Sequence, residues 1–340
     1  MSACSPTVDS PIRESAEARV TTPCTHRVGV AVSGGRDSIA LLHATAFAAG
    51  SCDVEVWALH VHHGLIPEAD DWWRAVEQQC ARWSRRGLNV HFAGQRLGGA
   101  PAPGQSIEAW ARAGRYEALT LMAHEQQIPV VLLAQHRRDQ AETVLLQAMR
   151  SGGPAGLSAM PQSIQRDGIQ WIRPWLEHPR SAIEAYVRRY RLRHVNDPSN
   201  EDVRLARNRL RALAWDALDN AFPQAEAALA GTARRMQEAA ACNAELADID
   251  MTTCVDGQGA LAIAPWAGLS DARRANLLRH WGARWAQAGL PETLVARLLE
   301  EATRTRNGNR WPAPGGQVVR SKGKLVFATQ ALPKVLRCSI

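Results

Sequence analysis

A chain of 340 residues with 46% hydrophobic content is long enough to bury a core and to divide into two domains, which excludes general disorder. Its formal net charge of +7 suits a polyanionic partner, since a basic face concentrates phosphate-bearing ligands, and it suits plain solubility as well. The seven cysteines are scattered without a C-x-x-C pair, which argues against a zinc ribbon, an iron–sulfur site or a disulfide framework and fits a reducing cytoplasm.

Residues 1–26 are polar, lack a signal-peptide apolar core and read as a flexible tail. No apolar run reaches the length of a membrane span, so no membrane partner is expected. From Val28 the pattern V-G-V-A-V reads as a short buried strand. It passes through Ser33-Gly34-Gly35 into a helical run at 38–49. Strands are then expected at 54–61, 89–92 and 129–134, alternating with helices at 69–85, 107–125 and 140–150. That alternation predicts an α/β fold, a doubly wound, mostly parallel sheet covered on both faces.

Glycines and a proline mark a loop at 151–160, and between Arg173 and Arg211 ten arginines stand against five acids. A helical region is expected at 214–247, then a strand at 261–263, helices at 271–288 and 292–303, and a hairpin over 311–328 turning at Lys322-Gly323. The domain plan is therefore a catalytic domain at 27–213, a helical linker at 214–248, a smaller α+β domain at 249–330 for substrate recognition and a tail at 331–340.

The most informative segment is Ser33-Gly34-Gly35-Arg36-Asp37-Ser38. Adjacent glycines let successive backbone N–H groups aim into one concavity, and the helix N-terminus behind them adds partial positive charge. Phosphate is the natural occupant. A carboxylate at that mouth makes most sense as a magnesium ligand bridging protein and nucleotide, so Asp37 is a candidate metal ligand. The loop lacks the lysine of a Walker A motif. The plainer reading is a glycine turn with a serine cap and a first-turn acid; the strand before and the helix after favour phosphate.

Other segments carry chemistry-bearing residues at helical or strand spacing. These are His60-Val61-His62-His63-Gly64-Leu65, Glu108 to Tyr116 with Arg112 and Arg115, and Ala134 to Leu146 with His136, Asp139 and Glu142. Behind them lie Arg150 to Leu157, Arg173-Pro174-Trp175-Leu176, Asp197-Pro198-Ser199-Asn200 and Arg207-Asn208-Arg209-Leu210-Arg211. Taken alone, the histidines are structural or nucleotide-proximal, the α-helical arginines a solvated face, and Asp139 with Glu142 a helix-start acid pair. Arg207 and Arg211 share a helix face and would project toward an anionic ligand.

Together these segments resemble the tRNA(Ile)-lysidine synthetases, within the N-type ATP pyrophosphatases. S-G-G-x-D-S resembles the pyrophosphate loop of the superfamily, and the remaining segments resemble H-V-x-H-G-L, E-x-x-A-R-x-x-R-Y, A-H-H-x-D-D-Q-x-E-T-x-L-L, R-P-L-L, D-x-S-N and R-N-x-x-R. The resemblance implies ATP-dependent attachment of L-lysine to C2 of the wobble cytidine of an isoleucine tRNA with a CAU anticodon, through an adenylated tRNA, releasing pyrophosphate and AMP. It implies ATP and Mg2+ as cofactors, with Ser33, Gly34, Gly35, Arg36, Asp37 and Ser38 on the nucleotide. It also implies Asp37, Arg112, His136, Asp139 and Glu142 as catalytic residues, Asp37 and Asp139 on metal, and Arg173, Arg207, Asn208 and Arg211 on tRNA or substrate. The sequence leaves the oligomeric state open between monomer and homodimer, and the general base open among Asp139, Glu142 and His136.

Two departures stand out. Gln135 occupies the family's first histidine position and Arg138 replaces its first aspartate. Loss of that carboxylate raises the prospect of a weakened metal site, and with it a non-catalytic tRNA-binding homologue as one alternative. A thiolating tRNA enzyme is the other, disfavoured by the lack of paired cysteines. Six tryptophans, Trp171, Trp175, Trp266, Trp281, Trp285 and Trp311, are candidates for base stacking, with core packing expected for most.

Overall fold

The computed structural model describes residues 26–64, 68–100, 107–196, 202–286 and 289–329. Both expected tails fall outside this set apart from His26, as do Leu65 and the Asp197-Pro198-Ser199-Asn200 segment, and of Glu108 only the backbone is described. The chain divides into two compact units, Met1–Gln135 with Gln162–Pro198 and His136–Pro161 with Ser199–Ile340.

The first unit is a six-stranded sheet with helices on both faces. Its strands are β1 (His26–Ala31), β2 (Val54–His62), β3 (Val90–Arg96), β4 (Val130–Leu132), β5 (Ser163–Arg166) and β6 (Ile169–Ile172), in the order β3-β2-β1-β4-β6-β5. All neighbours are parallel except β5 and β6, a hairpin that places one antiparallel strand at the edge. The hairpin turns at Asp167-Gly168, both with positive φ, a two-residue turn of the kind Asp-Gly favours.

The alternation of β1 sorts its side chains between two cores. Val28, Val30 and Val32 face α1 (Arg36–Ala49), α2 (Ala69–Ser84) and α6 (Arg180–Tyr190), whereas Ala31 faces α3 (Ile107–Glu125). Val30, Leu42, Val56 and Leu59 are fully buried. Gly29 sits where β1 meets the α3 side most closely, since a Cβ there would lie 2.9 Å from Leu59 Cδ1.

The second unit contains α4 (Arg137–Ala148), α5 (Pro154–Leu157), α7 (Ala206–Leu210), a π-helical turn (Arg211–Trp215), α8 (Asp216–Ala221) and the long α9 (Ala225–Cys254). The helical stretch expected from 214 is thus broken at 222–224, where Pro223 cannot continue the hydrogen-bond ladder. Beyond α9, the helices α10 (Ile263–Ala267), α11 (Asp271–Trp285) and α12 (Glu292–Glu301) pack with a sheet of β7 (Leu261–Ala262), β8 (Arg310–Ala313), β9 (Gly316–Ser321) and β10 (Lys324–Thr329).

Sheet order there is β7-β10-β9-β8, all antiparallel, so the expected single hairpin is a three-stranded meander with a second turn at Pro314-Gly315. Trp266, Trp281 and Trp311 are buried in this core and Trp171 in the first unit. Trp175 packs against the α1 side core, and Trp285 alone among the six is exposed, at 43%. Stacking on RNA is therefore ruled out for the buried four.

Candidate active site

Strand β1 ends at Ala31, and Ser33 to Gly35 turn the chain into α1. Gly34 adopts φ +91°, open to glycine at little cost. The loop is tied by its own serines. Ser33 Oγ lies 3.2 Å from Ser38 Oγ, Ser38 Oγ donates to the Gly35 carbonyl at 2.9 Å, and the Gly35 N–H donates to Ser33 Oγ at 3.3 Å. No side-chain hydrogen bond caps α1, whose N-cap is Gly35, so the helix end presents backbone donors and the positive end of its dipole.

Asp37 stands in the first turn with its carboxylate 2.9 Å from Arg36 Nε, and Arg36 is held in turn by Glu184 at 2.7 Å. The loop is anchored from outside as well. The Val195 N–H donates to the Gly34 carbonyl, and His60 Nδ1 lies 2.8 Å from the Val32 carbonyl. His60 is buried, and burial holds its imidazole down to about 4, so it stays neutral. His62 faces Asp70 at 3.3 Å and Arg96 at 3.2 Å. His60 therefore braces the loop from β2, and His62 ties β2 to Asp70 of α2 and Arg96 of β3.

Arg112 lies elsewhere in this unit. It is exposed on α3, 5.9 Å from the Tyr116 ring, and lines a cavity of about 830 Å³ together with Arg166, Trp171 and the buried Arg173. The Ser33–Ser38 loop is not part of that cavity's lining.

In the second unit the remaining candidates converge. Asp139 and Glu142 project from one face of α4, and Arg211 at the start of the π-helical turn reaches both. Its Nε and Nη2 grip the two Glu142 oxygens at 2.7 and 2.9 Å, and Nη2 also reaches Asp139 at 2.9 Å. Arg207 donates to Thr143 Oγ1 at 2.8 Å and lies 3.5 Å from Glu142. Glu142 has no exposed surface, so this bidentate pairing is what permits a carboxylate there. Asp139 also accepts from the His136 N–H at 3.0 Å, closing the first turn of α4. Asn208 donates to the Asp202 carbonyl at 3.2 Å. Arg207 and Arg211, expected to project toward an anionic ligand, thus face the α4 carboxylates.

Arg138 points away from this cluster. It bonds Glu226 at 3.3 Å and Asp219 at 3.1 Å and lies 4.6 Å from the Trp215 ring, while Arg137 takes the other Glu226 oxygen at 2.9 Å. Sequence reasoning missed these partners, and nothing local signals them because they lie more than eighty residues away along the chain. Gln140 and Gln237 are two further unforeseen contributors. Their side chains hold the backbone of Met160 from α4 and α9. Among the described residues, no group of three or more His, Cys, Asp or Glu side chains forms a metal-binding set.

A PP-loop domain model matches residues 9–217, and a TilS substrate binding domain model matches residues 261–326. The tRNA(Ile)-lysidine synthase of Bordetella bronchiseptica is 40% identical over 288 residues, covering 83% of this chain and 81% of that one. The chain belongs to the tRNA(Ile)-lysidine synthase family. A family member from Ralstonia nicotianae is 42% identical over 303 residues, 87% of this chain and 63% of that one, and one from Polaromonas naphthalenivorans is 38% identical over 89% of this chain and 90% of that one.

A solved U34-tRNA thiolase from Methanococcus maripaludis shares the fold alone, with TM-score 0.53 at 15% identity over 63% of this chain and 73% of that one. Membership in the lysidine synthase family carries an ATP-binding PP-loop domain, matched here over residues 9–217. Within the family pattern, Gln135 keeps its buried Oε1 without a hydrogen-bond partner. The departure at Arg138 leaves Asp139 and Glu142 in place.

Proposed function

We propose that this chain ligates L-lysine to C2 of the wobble cytidine of an isoleucine tRNA with a CAU anticodon. ATP adenylates the C2 oxygen, pyrophosphate leaves, and the ε-amine of lysine displaces AMP. The observation that carries the reading is the acid pair of α4, kept in place and held by Arg211 despite the change at Arg138.

The loop supplies backbone donors for the phosphates, where charge develops as pyrophosphate departs. Asp37 with the Ser33 and Ser38 hydroxyls offers hard oxygen donors of the type magnesium takes. Magnesium bound there would offset the growing negative charge on the leaving group. Asp37 would hold it together with nucleotide oxygens, and Arg36 would orient the carboxylate. One of Asp139, Glu142 or His136 would bind the lysine ammonium or take the proton lost before attack. Arg112 and Arg173, which line one donor-rich cavity, suit acceptor groups of RNA or of the adenylate. A cytoplasmic location follows from the substrate, and among the described residues no helix is long and apolar enough to cross a membrane.

The test is incubation with ATP, magnesium, labelled lysine and a CAU-anticodon isoleucine tRNA transcript. ATP-dependent incorporation of lysine into the RNA is the expected result. Absence of incorporation alongside good tRNA binding would favour a non-catalytic homologue.

A further inference from the structure

Most arginines of the first unit with defined partners hold carboxylates. Arg27 takes Glu55, Arg36 takes Asp37 and Glu184, Arg96 takes Asp70, and Arg180 takes Glu184. One group does not. Arg85 and Arg86 follow the end of α2, Arg188 and Arg189 occupy the last turn of α6, and Arg191 and Arg193 lie beyond it. All six are exposed, and among the described residues no acid pairs with any of them.

His43 of α1 sits between aromatic residues next to the two arginine groups. It contacts Trp83 of α2 at 5.1 Å and Tyr190 of α6 at 5.0 Å, and its Nδ1 lies 2.9 Å from the Tyr186 hydroxyl. Phe47 and Tyr190 form the open rim of this cluster, 6.2 Å apart and 61% and 36% exposed. Arg189 lies 5.7 Å from the Tyr190 ring.

Cations in a last helical turn offset the helix dipole, which is worth about 0.3–1 kcal/mol each. That is a modest reward for placing Arg188 and Arg189 there. Arg85 and Arg191 are the C-caps of α2 and α6 and share in that effect, whereas Arg86 and Arg193 lie beyond the caps. Four to six unneutralised guanidinium groups around two exposed rings match what a nucleic-acid backbone requires: phosphate forks interleaved with stacking surface. The patch lies at the far end of α1 from the phosphate loop, about 20 Å away for a helix of fourteen residues.

We infer that this face, formed by the C-terminal ends of α2 and α6 around Phe47 and Tyr190, binds the tRNA phosphate backbone as an anchor remote from the phosphate loop. The inference rests on the tRNA reading above.

The test compares the full chain with R85Q/R86Q/R188Q/R189Q and with F47A, measuring affinity for the tRNA transcript by fluorescence anisotropy across salt concentrations. The quadruple variant should bind on the order of tenfold more weakly, with a salt slope reduced by about two to four. KM for tRNA should rise while KM for ATP and lysine holds, and F47A should weaken binding severalfold with no change of slope. Thermal unfolding controls for folding, and R188Q/R189Q serves as the milder substitution if the quadruple variant is destabilised. Wild-type affinity and slope in folded variants would overturn the inference, as would loss of binding to phosphatidylglycerol vesicles with tRNA binding intact. Failure of the wild-type chain to incorporate lysine would instead count against the proposed reaction, because tRNA affinity is read separately.

Discussion

The phosphate loop and the acid–arginine cluster are built in opposite ways. Six consecutive residues make the loop, which uses backbone N–H groups, a glycine at positive φ and a helix end. The cluster uses side chains about seventy residues apart, Asp139 and Glu142 against Arg211, and sets opposite charges against each other. A site made of backbone tolerates side-chain change around it and is sensitive to the loop itself. A site made of paired charges depends on every partner, because removing one leaves the other exposed to the cost of burial.

The largest effect is expected at the loop. Asp37→Ala should reduce pyrophosphate release by about a hundredfold or more, as the loss of a group that serves developing charge does. Binding of tRNA, measured by gel shift, should persist. An equal loss of tRNA affinity would contradict the assignment of Asp37 to the nucleotide.

The support beneath the loop titrates. His60 is neutral when folded and held down to about 4 by burial, whereas an unfolded histidine titrates near 6.5. Its contribution is therefore complete above about pH 6.5 and is lost as pH falls from there through 4. The total is about 3 kcal/mol. Urea midpoints should fall across that window in the wild type and stay flatter in His60→Gln; parallel curves would remove His60 from the account.

The cluster should respond differently. Glu142→Gln strips Arg211 of its bidentate partner and should cost about 2 kcal/mol of stability. It should also reduce lysine transfer more than pyrophosphate release. The smallest change is expected from restoring the family's acid at position 138. Arg138→Asp loses the bonds to Glu226 and Asp219 and the contact with Trp215 and should lower stability by about 1–2 kcal/mol. Lysine transfer should stay within a few-fold of wild type. A gain of stability in a thermal melt would mean that these ion pairs contribute nothing.

The same contrast explains what could be read without coordinates. Strand β1, the loop and α1 follow directly from local pattern, because apolar alternation, glycine and helix start are neighbours in sequence. So do α3 and the strands β2, β3 and β4. The hairpin at Asp167-Gly168 escaped because its strands are four residues each and β5 is wholly exposed. The helix break at Pro223 was hidden by strong helical composition on both sides. Asp139 and Glu142 were legible as a pair on one face of a helix. Their counterions were not, since the turn that brings Arg211 to them depends on the fold. Arg138 read as a defect in a motif, yet its role is set by Glu226, which no spacing rule connects to it.

One measurement tests this division of labour most directly: tRNA-dependent pyrophosphate release and lysine transfer, assayed side by side in Asp37→Ala and Glu142→Gln. Asp37→Ala should lose both reactions together, whereas Glu142→Gln should still release pyrophosphate and fail to transfer lysine. Equal loss of both reactions in Glu142→Gln would contradict the separate roles of loop and cluster.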